Sequence, residues 1–223
     1  MTYRVKLLTF FLSAVAVLVV LNVGYSALET FSRLNAVEAE RDHWQRPSDV
    51  IQALDLRPGD MVADLGCGSG YFTLKLSSPV GDNGRVIAED IRRLPLVFLW
   101  FRAASRREHN VKVLLGDPTD PHLPAHVNAV LISNTYHEFT DSHAILVHVY
   151  QSLVPAGRLV VVDREPKPGS SDISATAEHE ISAEQVEGEL RQANFEIVSR
   201  DDRFIQHDSY GENWWLIVAR KSR

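Results

Sequence analysis

The sequence predicts an α/β protein built on a doubly wound, mostly parallel sheet. Short apolar runs without turn residues alternate along the chain with helix-like stretches, as expected when strands and helices follow one another. The first of these runs, Met61–Leu65, is followed at once by a loop that contains three glycines. A buried strand that ends in a glycine-rich loop before a helix is the arrangement with which open α/β sheets bind nucleotides.

The composition is that of a globular domain with an appended segment. The chain has 223 residues, of which 45% are hydrophobic and 23% are charged, enough for one α/β domain plus an appendage. Its formal net charge of −6 argues against a nucleic-acid partner, which normally requires a basic surface. The single cysteine, Cys67, excludes an internal disulfide and a cysteine metal cluster. We interpret Cys67 as a small residue that fits the loop rather than a nucleophile, and no metal site is predicted.

Residues 1–27 are predicted to form a membrane anchor or a signal segment. Residues 7–23 are almost wholly apolar, and as a helix they would extend about 25 Å, close to the hydrocarbon thickness of a bilayer. A signal peptide has the same basic start, but its apolar core usually spans only ~7–15 residues. We therefore favour an uncleaved, single-pass anchor that contacts the membrane through residues 7–24. Export after signal cleavage is the alternative.

The side of the membrane on which the rest of the chain lies is left open by the sequence. Arg4 and Lys6 precede the apolar run and predict that the N-terminus is inside the cell and the following domain outside. Residues 28–46 carry charges of both signs and apolar residues at helical intervals, which predicts a helical connector. Residues 47–223 are predicted to form the globular domain, which opens with a helix at Pro47.

The spacing of the glycines decides what kind of ligand the loop fits. They follow an acidic residue in the pattern Asp64-x-Gly66-x-Gly68-x-Gly70. A dinucleotide fingerprint, G-x-G-x-x-G, would require glycine at position 71, where this chain has Tyr71, and no Lys-Ser or Lys-Thr pair follows as in a P-loop. Glycine at these positions allows positive φ angles and a close approach of the backbone to the ligand.

With its flanking strand and helix, the string DLGCGSG resembles the first motif of the class I S-adenosylmethionine (SAM) methyltransferases. The resemblance implies SAM as the cofactor, with its methionine half wrapped by the glycine loop, residues 66–70. It also implies that Asp64 holds the loop and the SAM amino group, and it places Tyr71 among the cofactor-binding residues. Because SAM is made inside cells, this cofactor conflicts with the outward orientation that the N-terminal charges predict.

The resemblance covers roughly residues 40–220 and also implies the details of the fold. The sheet of this family is Rossmann-like and has seven strands in the order 3-2-1-4-5-7-6, with the last strand antiparallel. The segment ERDHWQRP, which begins at Glu40, is similar to one found in small bacterial members of the family. An N-terminal transmembrane-type helix would precede this fold.

Acidic residues after the second and third strands complete the predicted cofactor pocket. Residues 85–88 form a short strand that ends in Glu89 and Asp90, about 20 positions beyond the loop, where such sheets hold ribose hydroxyls. By register with the family Asp90 is the first candidate and Glu89 the second; the alternative is two surface charges at a strand end. Residues 111–115 form the third strand, and the resemblance implies that Asp117 bonds the adenine amino group.

Candidate catalytic groups follow the fourth strand, residues 128–133. That strand runs into Asn134, a candidate cofactor-binding residue, and then into His137 and Glu138, at the edge where ligands of open α/β sheets bind. A neutral imidazole is suited to take a proton from a methyl acceptor, so His137 with Glu138 beside it is the first candidate. The alternative is a helix-capping histidine or a simple His–Glu pair. His179 is the second candidate, because the similar segment folds over the pocket mouth in resembling enzymes.

Residues 94–101 (LPLVFLWF) are predicted to begin a helix that is apolar on every side. Such a helix is buried, contacts a membrane or forms an interface. We favour burial, with membrane contact as a second interpretation. The remaining predicted scaffold is a helix over residues 144–153, a turn at 155–157, a strand over 158–163, a helix with a capping box of Ser182 and Gln185, and strands over 195–199 and 214–219.

These interpretations together predict a membrane-tethered, SAM-dependent methyltransferase that acts on a small, apolar acceptor. A lipid-soluble quinone or phenol is one such acceptor, suggested by similarity to the quinone-biosynthesis methyltransferases. The fourth strand is not followed by the Asn-Pro-Pro-Tyr signature of enzymes that methylate exocyclic or amide nitrogens, which argues against adenine or glutamine as acceptor. The alternative is a non-catalytic, exported domain that keeps the fold and binds another nucleoside.

Overall fold

A computed structural model describes residues 2–167, 179–207 and 212–222. The chain divides into two compact units, Met1–Gln45 and Arg46–Arg223.

The first unit is a single helix, α1 (Thr2–Trp44), so the residues predicted as anchor and as connector are continuous in one helix. Part of α1 is long and apolar enough, by length and composition, to cross a membrane. Its side chains include the exposed Phe10, Phe11 and Leu18. A signal sequence near an N-terminus has the same properties, so the helix is compatible with both interpretations of this segment.

The second unit is organised around a sheet. Within the described residues its strands are β1 (Met61–Leu65), β2 (Arg85–Asp90), β3 (Val111–Leu115), β4 (Val127–Ser133), β5 (Leu153–Arg164), β6 (Phe195–His207) and β7 (Glu212–Lys221). The seven strands have the order β3-β2-β1-β4-β5-β7-β6. Strands β1 to β5 pair in parallel, and β7 is antiparallel to both β5 and β6. This confirms the fold class and the strand order that the resemblance implied.

Helices cover the sheet between the strands. They are α2 (Pro47–Ala53), α3 (Tyr71–Val80), α4 (Arg93–Arg106), α5 (Ser142–Ser152) and α6 (Ala183–Gln192), with a 3₁₀ turn at Tyr136–Glu138. The predicted capping box of α6 is half correct. The Ser182 hydroxyl accepts the Gln185 N–H at 3.2 Å, but the Gln185 side chain donates to Glu189 instead of returning to Ser182.

The central strands β4 and β5 are buried on both faces, which is why they read as unbroken apolar runs. Val130, Leu131, Val160 and Val161 are all fully buried. Strand β5 begins earlier than predicted, so the expected turn at residues 155–157 lies within it. The pairing with β4 shifts register there, from Val127 opposite Leu153 to Ala129 opposite Arg158. Strand β6 also runs further than predicted, with two register shifts against β7.

The burial predicted for residues 94–101 is wrong for half of the helix. In α4, Leu96 and Leu99 are buried and pack with Cys67, Leu74 and Ala88 against the sheet. The opposite face is exposed, with exposed fractions of 66% for Leu94, 49% for Val97, 55% for Trp100 and 53% for Phe101. When apolar residues occupy every side of a helix, the sequence does not show which face packs against the sheet. The buried and exposed faces of α4 therefore could not be distinguished from the sequence.

Candidate active site

The carboxyl ends of β1, β2 and β4 meet at one edge of the sheet. Leu65 at the end of β1 lies opposite Glu89 of β2 and opposite Ile132 of β4. The glycine loop, the two acidic residues after β2 and the residues after β4 are therefore neighbours in space. This is the edge at which open α/β sheets bind ligands.

Each glycine of the loop has a left-handed backbone, with φ of 69° at Gly66, 53° at Gly68 and 92° at Gly70. A Cβ at Gly66 would overlap the Thr135 side chain, and one at Gly70 would overlap Leu99. A Cβ at Gly68 would meet nothing within 4 Å. Two of the glycines are therefore required by close packing, and the third borders open space in which a ligand can lie against the backbone.

Three carboxylates that the sequence analysis named as cofactor-binding candidates lie around this loop. The side chains of Asp64, Glu89 and Asp90 are almost fully buried. Glu89 accepts the N–H of Gly66 at 3.4 Å, and Asp90 accepts the N–H of Gly68 at 3.0 Å. Asp64 accepts the hydroxyl of Thr73 in α3 at 2.6 Å, which ties β1 to the helix after the loop.

Burial in this acidic cluster shifts the ionisation of two side chains. Removal from water raises the pKa of Glu89 to about 7, and the nearby Asp90 and Asp64 add to the shift. Burial likewise raises the pKa of the Cys67 thiol, so this group stays protonated at neutral pH and is not a nucleophile. Arg92, whose side chain is 61% exposed, pairs with Asp90 at 3.2 Å. A cationic ligand would find a favourable potential at this loop.

Asn134 lies at the same edge, at the end of β4. It has a left-handed backbone with φ of 53°, and its N–H donates to the carbonyl of Val162 at 2.8 Å. Within the described residues, Asn134 Oδ1 and the neighbouring Ser133 Oγ are buried without a hydrogen-bond partner. Buried polar atoms are normally paired, so these two are available to a polar ligand. Tyr71, the first residue of α3, is buried at the opposite end of the loop.

Asp117 is adjacent to β2 but is already paired. The preceding Gly116 donates its N–H to the carbonyl of Asp90 at 3.3 Å. The Asp117 carboxylate is 67% exposed and lies 2.9 Å from Nε2 of His122, and this hydrogen bond raises the pKa of His122. The implied role of Asp117 at the adenine ring stays a prediction.

The three candidate catalytic groups are brought together, with a partner that the sequence analysis missed. His137 Nδ1 lies 2.8 Å from Oδ1 of Asp163, and both side chains are buried. An ionised carboxylate only accepts hydrogen bonds, so an ionised Asp163 would hold a proton on Nδ1 and, in a neutral imidazole, leave Nε2 as the acceptor. Nε2 lies 3.8 Å from Oε1 of Glu138, and the His179 ring centroid is 5.2 Å from that of His137. The sequence signal that could have identified this partner is Asp163 itself, an acidic residue at the end of the otherwise apolar run of residues 159–162.

Comparison with known proteins identifies the family to which the chain belongs. Residues 56–218 match a family described as a methyltransferase domain. The chain belongs to the class I SAM-dependent methyltransferases. Membership confirms the family predicted from the glycine motif and its cofactor, SAM. The open space at Gly68, the unpaired oxygens at the end of β4 and the acidic cluster fit a cofactor that carries polar groups and positive charge.

Relatives of this chain include curated proteins and solved structures. It is 32% identical to nocamycin O-methyltransferase from Saccharothrix syringae over 53% of this chain and 43% of that protein. It is 24% identical to demethylmenaquinone methyltransferase from Geobacillus over 60% of this chain and 57% of that one. A SAM-dependent methyltransferase from Aquifex aeolicus superposes with a TM-score of 0.67, 22% identity and coverage of 78% and 88%. The chain spans about half the length of the curated relatives it matches.

Replacing Glu89 is expected to remove a pH dependence of stability. The folded pKa of about 7 lies above the ordinary value of 4.5, so the native state holds an extra proton between these values. The resulting stabilisation is complete below about pH 4.5 and is lost as the pH rises through 7. Between about pH 5 and 8, the free energy of unfolding of the wild type should fall by roughly 2–3 kcal/mol relative to Glu89→Gln.

Urea denaturation across this pH range measures the difference. Glu184→Gln, which replaces an exposed acid on α6, is the matched control and should keep the wild-type slope. Parallel profiles for wild type and Glu89→Gln would show that Glu89 does not titrate in this range.

Proposed function

We propose that this protein methylates a small, apolar acceptor, using SAM, while tethered to a membrane. The observation that carries the proposal is that one edge of the sheet holds both the glycine loop and the His137–Asp163 pair. The small molecules in the names of two curated relatives, nocamycin O-methyltransferase and demethylmenaquinone methyltransferase, support a small-molecule substrate. A quinone-type acceptor is soluble in lipid, which agrees with an apolar N-terminal helix.

The cofactor side of the site is assigned to the carboxylates and the loop. When bound, SAM supplies a methyl group made electrophilic by the positive charge on its sulfur. Asp64, Glu89 and Asp90 lie around the loop in which we place the methionine half and the ribose. Their buried negative charge favours a cationic ligand and fixes its orientation, and orientation supplies much of the rate enhancement in a displacement of this kind.

The acceptor side is assigned to His137, with Glu138 and His179 beside it. Thr135 connects the two sides, because its hydroxyl lies 3.4 Å from the carbonyl of Gly66 and it precedes the turn that carries His137. Asp163 fixes the proton on Nδ1, so Nε2 is oriented to accept a proton from an acceptor hydroxyl. Asp163 is therefore a positioning residue, since it acts through the imidazole.

His137→Ala and Asp163→Asn are expected to lower methyl transfer at least about 100-fold, the usual contribution of a positioned base. Their dissociation constants for SAM should stay within about twofold of the wild type, because the contacts of the two side chains run to each other and to Arg164, Glu138 and His179. The assay measures S-adenosylhomocysteine formed with a set of naphthoquinols and phenols. Asp163→Asn should also change the pH profile of kcat, which a loss of packing alone would not do.

Asp201→Asn replaces an exposed carboxylate on β6 and serves as the control with unchanged rates. Wild-type rates in His137→Ala would contradict the assignment of the base. SAM binding without transfer to any member of the set would contradict the proposed acceptor class.

Membrane attachment is proposed through residues 7–24 of α1 and through the exposed face of α4. Leu94, Val97 and Trp100 follow one another at helical spacing along this face, and the exposed Arg93 and Arg106 lie at its ends. Aromatic and aliphatic side chains flanked by arginines are typical of a helix that lies at the surface of an anionic bilayer. The buried face of the same helix supports the site, because Arg102 donates to the carbonyl of Ser69 at 2.5 Å.

A polarity-sensitive dye on Val97→Cys should report this contact. The native Cys67 is buried, so labelling is confined to the introduced thiol. When the full chain is reconstituted into vesicles with anionic lipid, the dye emission should shift to the blue relative to detergent solution. The same dye at the exposed His109→Cys position should not shift, and an unshifted Val97→Cys signal would exclude lipid contact by α4.

A further inference from the structure

Three metal-ligating side chains converge after β4. His137 and Glu138 lie in the 3₁₀ turn, and His179 lies ahead of α6; their ligand atoms are all within 4.8 Å of one another. Two imidazoles and one carboxylate form a donor set that binds divalent transition metals and leaves coordination positions open. The sequence offered these residues only as separate candidate catalytic groups.

His137 is oriented as metal ligands are. Its side chain is 3% exposed, and that of Asp163, which holds Nδ1, is 0% exposed. The Asp163 carboxylate also accepts the N–H of His137 at 3.3 Å and that of Arg164 at 2.9 Å, so its own position is fixed. Histidine ligands of metals commonly donate their second ring N–H to a carboxylate in this way, which aims the other nitrogen at the ion.

His179 is held against His137 by the residues that follow it. The buried Glu180 accepts the N–H of Lys167 at 3.2 Å. Ile181 donates to the carbonyl of Arg164 at 2.9 Å and accepts the indole N–H of Trp215 at 2.8 Å. These bonds fix the backbone next to His179 on β5 and β7, although the imidazole itself is exposed.

The geometry is close to that of a bound ion and can reach it by side-chain rotation. A tetrahedral ion with bonds of about 2.0–2.1 Å requires its ligand atoms to be roughly 3.3 Å apart. The atoms here must approach by roughly 1 Å, since His137 Nε2 and Glu138 Oε1 are 3.8 Å apart and the widest separation is within 4.8 Å. Glu138 is 48% exposed and can turn inward while His137 stays fixed. Arg92 acts electrostatically on Glu138, but its guanidinium is bonded to Asp90.

We propose that His137, Glu138 and His179 bind a divalent transition-metal ion, with Asp163 orienting His137. What the ion does rests on the proposed methyl transfer. The ion would act as a Lewis acid on an acceptor hydroxyl: it would favour loss of the O–H proton to solvent and would stabilise the oxyanion that remains to receive the methyl group. With the ion bound, His137 would serve as a ligand, and the ion would take over the activation of the acceptor from the imidazole. This activation would favour acceptors with a phenolic or enolic oxygen.

Titration with Co²⁺ tests the site, because its visible absorption reports coordination by nitrogen. The full chain in detergent, stripped of metal by a chelator, should bind one equivalent. His137→Ala and His179→Ala should weaken binding at least about 100-fold, and Asp163→Asn about 10–100-fold. His109→Ala, an exposed histidine ahead of β3 at the amino edge of the sheet, should leave the affinity unchanged.

Affinity that is unchanged in His137→Ala and His179→Ala, or wild-type binding that does not saturate, would overturn the site. The melting temperature of each variant serves as the folding control. If His137→Ala melts at a lower temperature than the wild type, Co²⁺ binding by His179→Gln, a substitution at an exposed position, provides the test instead. The titration contains neither SAM nor acceptor, so its failure leaves the proposed methyl transfer intact. Binding that depends on both histidines supports the site even if no methyl transfer is found.

Discussion

The site depends on the burial of three carboxylates around one glycine loop. Buried carboxylates cost free energy unless hydrogen bonds and positive charge compensate them. The donors at Asp64, Glu89 and Asp90 include three backbone N–H groups and a hydroxyl, and the Arg92 guanidinium brings a positive charge to Asp90. Burial raises the pKa of Glu89, and the neighbouring Asp90 and Asp64 add to the shift, as expected if this compensation is incomplete. A cationic cofactor supplies the missing positive charge, so the cluster that is unfavourable without a ligand favours this one.

Parallel topology places the two halves of the site side by side. The proposed cofactor side lies at the ends of β1 and β2, and the proposed acceptor side lies at the ends of β4 and β5 and in the segment ahead of α6. Because β1 lies between β2 and β4 in the sheet, the loop at its end touches both. Helix α4 packs against the glycine loop: Leu99 lies against Gly70, and Arg102 donates a hydrogen bond to the carbonyl of Ser69. One face of α4 therefore contacts the glycine loop, while the opposite face is apolar and exposed.

Much of this could be predicted from sequence because the decisive features are local. The spacing of the three glycines and the positions of the acidic residues after the strands can be read directly from the sequence. The strand order followed from the family resemblance that this spacing supported. The pairing of His137 with Asp163 could not be predicted, since it joins two strand ends 26 positions apart. The two faces of α4 were indistinguishable because its apolar residues occupy both. The extent of β6 depends on irregular pairing with β7 that leaves no pattern in the sequence.

Calorimetric titration of SAM into Gly66→Ala and Gly59→Ala tests the loop most directly. Both glycines have a left-handed backbone, with φ of 69° and 98°, so both substitutions add the same kind of strain. A Cβ at Gly66 would displace Thr135, whereas one at Gly59 would meet nothing within 4 Å. We expect Gly59→Ala to bind SAM within about threefold of the wild type and Gly66→Ala to bind at least about 100-fold more weakly. Equal affinities in the two variants, or a wild-type protein that does not bind SAM, would contradict the assignment of this loop.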